Sequence, residues 1–172
     1  IKDRSKSTRD VKVFLHHDFR IYENKVGDTA FYDPETLALI HYKKHRYFLI
    51  NTLPHFDEFA TGRKAFRHQE GTWRDAEDGH LHGGSITEGS VDSTLSVAFE
   101  LDADGTYEFY YWIAAGTNHQ QVKNANRNVI ENGPSVYFEK SSSSWNDWLS
   151  KQRNDLSSLP EPIASLYRRS LL

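Results

Sequence analysis

Thr94-Leu-Ser-Val-Ala-Phe-Glu-Leu101, then Asp102-Ala-Asp-Gly105, then Thr106-Tyr-Glu-Phe-Tyr-Tyr-Trp-Ile113 is the stretch that decides the fold class. Leu95, Val97, Phe99 and Leu101 recur at every second position, and Ser96, Ala98 and Glu100 fill the positions between. A period of two puts one set on a buried sheet face and the other on the opposite face, whereas a helix would need spacings of three and four. The segment 102–105 is turn chemistry, with Gly105 suited to a left-handed backbone position. The spacing therefore predicts a hairpin in which residues 94–101 pair with residues 106–113.

The same reading extends outward. Val11, Val13 and Leu15 alternate and imply one buried sheet face. Asp33-Pro-Glu-Thr36 reads as a turn, with Pro34 pre-set for its second position. Residues 39–42 and 47–50 flank Lys43-Lys-His-Arg46, which predicts a hairpin with a charged tip. From Val11 to Phe109, aromatic and β-branched residues fit a pleated surface better than a helix. After Gly116 the period changes. Thr117 and Gln120 form a capping-box pattern, and Val122, Ala125, Val129 and Ile130 then recur at helical spacing until Asn132-Gly133. Pro134 opens a second helix with Tyr137, Trp145, Trp148 and Leu149 as its apolar stripe, the serines 141–144 being a solvated face. Leu159-Pro-Glu-Pro162 is a stiff break, after which Ile163, Leu166, Tyr167 and Leu171 predict a third amphipathic helix.

Composition narrows the function. A chain of 172 residues supports one sizeable core rather than two. Its 21 Lys and Arg against 24 Asp and Glu leave no basic stripe, so nucleic acid is not an expected partner. No apolar run is long enough for a membrane-spanning helix. The absence of cysteine excludes disulfides and thiolate chemistry. With no Asn-x-Ser/Thr acceptor either, a cytoplasmic home is the expectation, although a chain without methionine implies an altered start at Ile1.

Four features invite chemistry, and each has a plainer reading. Gly79-His-Leu-His-Gly83 sets two imidazoles on one side of an extended segment, a usable pair of metal ligands that resembles the cupin pattern. It lacks that pattern's carboxylate spacing and second motif, and reads better as surface-loop histidines. Asp75, Glu77 and Asp78 supply carboxylates, yet three acids in four positions suit turns, caps or pairing with Arg74 better than two walls of a sugar site. His16-His17-Asp18 suggests a triad, but no serine sits on a Gly-x-Ser-x-Gly elbow. Trp73, Tyr107, Tyr110, Tyr111 and Trp112 are candidates for stacking on sugar rings, or for ordinary sandwich packing.

Gly71-Thr-Trp-Arg-Asp-Ala-Glu-Asp-Gly79, Gly89-Ser-Val-Asp-Ser93 and Tyr110-Tyr-Trp-Ile-Ala-Ala-Gly116, with His16-His-Asp-Phe-Arg-Ile-Tyr22 and Gly27-Asp-Thr-Ala-Phe-Tyr-Asp-Pro34, resemble the N-terminal β-sandwich of prokaryotic glycoside hydrolase family 15, the glucoamylases and their trehalase and glucodextranase relatives. The resemblance covers nearly the whole chain. It implies a mainly β, antiparallel supersandwich of galactose-mutarotase-like type, here partial, with C-terminal linker helices. The implied division is a sandwich over 1–116, linker helices over 117–158, and over 159–172 a stub of the first helix of an absent (α/α)6 barrel.

In this family the barrel hydrolyses terminal α-glucosidic bonds with inversion and holds both catalytic glutamates. The resemblance therefore implies a non-catalytic accessory domain with no catalytic residue, metal or cofactor of its own. Its expected partners are the barrel of the same polypeptide and, through that enzyme, an α-glucan or α-glucoside. Trp73, Arg74 and Asp75 are the residues expected at the substrate rim or interdomain contact. Sheets lacking partner strands would also favour a homodimer through their exposed edges. A free-standing carbohydrate-binding module and a cupin-like metal-binding domain are the competing readings.

Overall fold

A computed structural model describes residues 1–24, 26–64, 71–151 and 158–170. The chain divides into two compact units, Ile1–Asn128 and Val129–Leu172.

The first unit holds two antiparallel sheets. One has the order β1-β7-β5, from β1 (Arg9–His17), β7 (Val91–Leu101) and β5 (Glu58–Arg63). The other has the order β6-β2-β3-β4-β8, from β6 (Ile86–Gly89), β2 (Asp28–Asp33), β3 (Ala38–Lys43), β4 (Arg46–Leu53) and β8 (Tyr110–Gly116). The fold is thus mainly β, as the alternating pattern predicts, and a two-sheet sandwich with helices, as the resemblance implies. Leu95, Val97, Phe99 and Leu101 of β7 are all buried, and they meet Leu39 of β3 and Ile50 of β4 in one core. Val11, Val13 and Leu15 of β1 pack against that core, so the predicted inward phase of β1 is the observed one.

The hairpin predicted over 94–113 does not form. β7 has β1 and β5 as its neighbours, in register from Arg9↔Leu101 to His17↔Ser93 and from Glu58↔Ser96 to Arg63↔Val91. β8 pairs instead with β4 of the other sheet, from Tyr47↔Gly116 to Leu53↔Tyr110. The turn itself is present, with the Gly105 amide donating to the Asp102 carbonyl at 2.8 Å. Its left-handed residue is Asp104, at φ 54, and not Gly105. Beyond the turn the chain crosses between sheets: Thr106 bridges Lys2, the Tyr107 amide donates to the Ile1 carbonyl, and the Tyr107 ring stacks on Phe99 at 3.9 Å. Alternation specifies which face of a strand is buried but not which strand lies beside it, and both arms here satisfy the pattern in separate sheets.

The second hairpin forms as predicted, β3 running into β4 with Lys43↔Arg46 as its last pair. Only Lys44 and His45 form the tip, because Lys43 is buried and ion-paired with Asp28 at 3.0 Å. In the turn between β2 and β3, Asp33 accepts from the Glu35 amide and from the Thr36 hydroxyl. That turn closes on an exposed Leu37 at φ 51. A left-handed backbone is unfavourable for most side chains but tolerated by asparagine. Leu37→Asn is therefore expected to raise stability by about 0.5 kcal/mol, seen as a higher urea midpoint at unchanged slope, and a lower midpoint would contradict the assignment.

The other face of the five-stranded sheet is covered by α2 (His119–Asn132), whose Val122 packs with Ala38, Ile40, Leu49 and Ala114. Its cap lies one residue later than predicted. Asn118 Oδ1 accepts from the Gln121 amide, and Gln121 Oε1 accepts from the Thr117 amide, both at 2.9 Å. In the second unit, α3 (Pro134–Ser150) follows Gly133 with Pro134 in its first turn, and the serines 141–144 lie exposed on it. α4 (Glu161–Ser170) follows the Pro160 break, and Leu171 of its predicted stripe lies outside the described residues. Among the described residues, no helix is long and apolar enough to cross a membrane.

Candidate functional site

The outer face of the three-stranded sheet carries the loop of Trp73, Arg74 and Asp75. Gly71, at φ 91, admits the chain to a one-turn helix, α1 (Thr72–Asp75), which a 3-10 turn over Ala76–Asp78 continues to a left-handed Gly79. Asp92 of β7 holds this start down. Both of its carboxylate oxygens lie 3.2 Å from the Thr72 amide, and the Thr72 hydroxyl lies 2.9 Å from that of Thr94. Burial raises the Asp92 pKa above the usual carboxylate range, against the opposing bond from Thr72 and the nearby His16. The segments 71–79 and 89–93, separate in sequence, therefore form one anchor.

The far end of the loop is fastened by two more carboxylates. Asp75 accepts from the His82 amide at 2.8 Å and pairs with its ring Nδ1 at 2.6 Å, which raises the histidine's pKa. Glu58 of β5 takes His80 Nδ1, the Leu81 amide and Lys12 Nζ at 3.1–3.2 Å. Partial burial pushes the Glu58 pKa up, and these hydrogen bonds outweigh it, so its carboxyl sits below the ordinary range. The two imidazoles of Gly79-His-Leu-His-Gly83 thus bind different carboxylates. Among the described residues, no three His, Asp or Glu side chains gather in a metal-binding set. Asp78 behaves as a turn residue, accepting from the His80 amide at 2.9 Å. Within this fastened frame Trp73 remains 47% exposed, and Arg74 is exposed beside it.

The other aromatic candidates do not join Trp73 in one row. Tyr107 stacks in the core, Trp112 donates from Nε1 to Asn126 Oδ1 of α2 at 3.0 Å, and Tyr111 turns between the sheets.

A second polar assembly lies between the sheets, and the sequence reading singled out two of its members, His17 and Tyr111, for other roles. His16 and His17 point to opposite faces of β1. His16 lies over the outer face, its Nδ1 3.0 Å from the Thr94 hydroxyl. His17 lies inside, its Nε2 3.1 Å from the Tyr111 hydroxyl and its Nδ1 3.3 Å from Ser93 Oγ, which in turn lies 2.7 Å from His41 Nε2. Burial lowers the pKa of His17 to about 4, with a further contribution from His16. Burial lowers that of His41 to about 3, aided by repulsion from His17, Lys64 and His16. Both rings are therefore neutral at physiological pH, and each can donate from one nitrogen and accept at the other. Ser93 is wholly buried, so the assembly ties sheet to sheet rather than presenting a nucleophile. The signal for His41 and Ser93 was available: each lies two residues from an inward leucine, Leu39 and Leu95, in the same phase.

No family model matches the chain, and no curated protein matches it. Among solved structures, the chain is similar to a bacterial glucoamylase whose crystal structure was determined in complex with acarbose. The superposition has a TM-score of 0.56 at 10% identity and covers 78% of this chain. What the two share is a fold. The matched region is 20% of the glucoamylase chain, so this chain spans about a fifth of that protein's length.

Proposed function

We propose that this chain is a non-catalytic accessory β-sandwich of a glucoamylase-like glycoside hydrolase, which acts on terminal α-glucosidic bonds in a separate (α/α)6 barrel domain of the same polypeptide. The observation that carries the reading is the two-sheet fold held in common with one fifth of a bacterial glucoamylase. The Trp73 loop supports it further. Three carboxylates, Asp92, Asp75 and Glu58, fasten a short loop that carries an exposed aromatic, Trp73. Pre-ordering of this kind lowers the entropy lost when a surface docks. In this reading Trp73 and Arg74 contact the barrel or the rim of its substrate site, and Asp75 positions the loop through His82.

Two measurements test the proposal. The purified chain is expected neither to hydrolyse maltose or trehalose nor to release heat on titration with maltooligosaccharides. Turnover that disappears on replacing an acidic residue would overturn the accessory role, and a saturable heat would favour the free-standing carbohydrate-binding module. In the barrel-bearing polypeptide, Trp73→Ala is expected to lower kcat/KM or Tm, and unchanged values of both would remove the loop from the interface.

A further inference from the structure

Sheet edges offer unpaired backbone groups to other strands, and proteins guard them with charge, proline or brevity. The edge strands β1, β5 and β6 all conform. β1 carries Arg9, Asp10 and Lys12, β5 carries Glu58 and Arg63, and β6 is four residues long with Glu88 among them. β8 is the exception. Tyr110-Tyr-Trp-Ile-Ala-Ala-Gly116 has neither charge nor proline, and it is the one described strand without Asp, Glu, Lys or Arg. Among the described residues it has a single sheet neighbour, β4. Ile113 pairs with the fully buried Ile50, yet is itself 42% exposed, and Tyr111 is 38% exposed. Three strands facing five leave the inner side of β8 only partly covered, by His17 at Tyr111.

We propose that β8 is where two copies of this chain join, antiparallel and edge to edge, about a two-fold axis through Ile113. The strand's own sequence selects the occupant. About that axis Tyr111 lies opposite Ala115 of the second copy and Trp112 lies opposite its Ala114. Ile113 meets its own counterpart. Tyr111 and Trp112 therefore face alanines, Ile113 faces a β-branched residue like itself, and no like charges are opposed, which suits cross-strand pairs. A two-fold contact of this kind is self-complementary and closes after two copies. The two five-stranded sheets become one continuous sheet, and the exposed flanks of Tyr111 and Ile113 acquire neighbours. This inference does not depend on the accessory-domain reading, since it concerns the isolated chain in solution.

The test uses sedimentation of the 172-residue chain across the micromolar range together with two cysteine variants, informative because the chain has no cysteine. A dimer is expected, and Ile113→Lys, which opposes two cations on the axis, is expected to weaken it roughly 100-fold. Ile113→Cys is expected to cross-link into a covalent dimer under oxidised glutathione, because directly opposed Cα atoms lie about 4.5–5.5 Å apart, within disulfide range. Ala115→Cys is expected not to, since its two copies would lie about 13 Å apart along the strand. If Ile113→Lys fails to fold, the cysteine pair still decides the matter. A wild-type monomer at every concentration, a dimer that survives in folded Ile113→Lys, or cross-linking at residue 115 equal to that at 113 would overturn the proposal. A strand from some other protein as the true occupant would show as the first of these.

Discussion

Lowering the pH from 7.5 to 5 is expected to destabilise the chain by about 2 kcal/mol for each of two histidines, or roughly 8–16 °C in Tm for both together. The groups are His17 and His41, whose folded pKa values are about 4 and about 3 against an ordinary 6.5. Because both are depressed, the unfolded chain takes up protons below pH 6.5 that the folded chain refuses. Stability is therefore complete above that point and declines until the folded values are reached. The geometry makes the refusal expensive. Tyr111 and His41 belong to the five-stranded sheet, and His17 and Ser93 to the three-stranded one, so the chain of contacts crosses the core twice. Phe19 and Tyr111 face the two rings, and the charges of Lys64, which is paired with Asp18, and of His16 on the outer face of β1 act on His41 from a distance. Among the described residues no carboxylate bonds to either ring, so a proton there gains no counter-charge in contact from them.

Other groups add smaller contributions, most of them elsewhere on the pH scale. Asp33 and Glu58, both depressed, stabilise above the carboxylate range and lose that contribution below about pH 5. His82 is raised, so its contribution is present in acid and lost as the pH rises, but it is exposed and its effect is small. Thermal melts followed by circular dichroism between pH 7.5 and 5, set against a His41→Gln variant, read the buried pair above the smaller effects of His82 and Asp92. His41→Gln, which keeps an amide for Ser93, is expected to flatten the slope by about half. A Tm that does not change over this interval, or a slope unaltered in the variant, would show that the pair does not govern acid stability.

How much of this was legible in the sequence follows from which interactions are local. The β3–β4 hairpin was readable because its strands adjoin in sequence with two residues at the tip, so pattern and pairing coincide. α2 was readable because Asn132-Gly133-Pro134 both ends it and opens the next helix. The partner of β7 was not readable. Its flank is filled by β1, about 80 residues earlier, and nothing local in 94–113 records that competition. The Trp73 loop was singled out on its glycines and its aromatic, and the structure adds what fastens it: Asp92, Glu58 and His82 lie on three other segments. The buried histidine chain stands between these cases. The phase of β3 and β7 was on the page, but a histidine or serine in an inward position reads as an interruption until its partner across the core is seen.

Gly71→Ala is expected to cost about 2–4 kcal/mol, because it meets two obstacles at one residue. The backbone at φ 91, ψ 177 lies in a region that glycine alone occupies readily. A Cβ there would also stand 2.1 Å from Asp92 Oδ2, the carboxylate that anchors Thr72. Neither group yields easily, since Asp92 is buried and its oxygens are held by the Thr72 amide. The two obstacles are separable. Asp92→Ala removes the clash but leaves the backbone strain, and on the wild-type background it costs roughly 1–2 kcal/mol for the lost anchor. The double variant should therefore be less destabilised than the sum of the singles by more than about 1 kcal/mol, a coupling read from urea midpoints. Additivity within about 0.5 kcal/mol would mean that Gly71 and Asp92 do not press on each other, and a neutral Gly71→Ala would mean that the loop enters its helix by another path. Trp73 fluorescence adds a local readout, because a loop released from Asp92 changes the surroundings of that ring in the folded state.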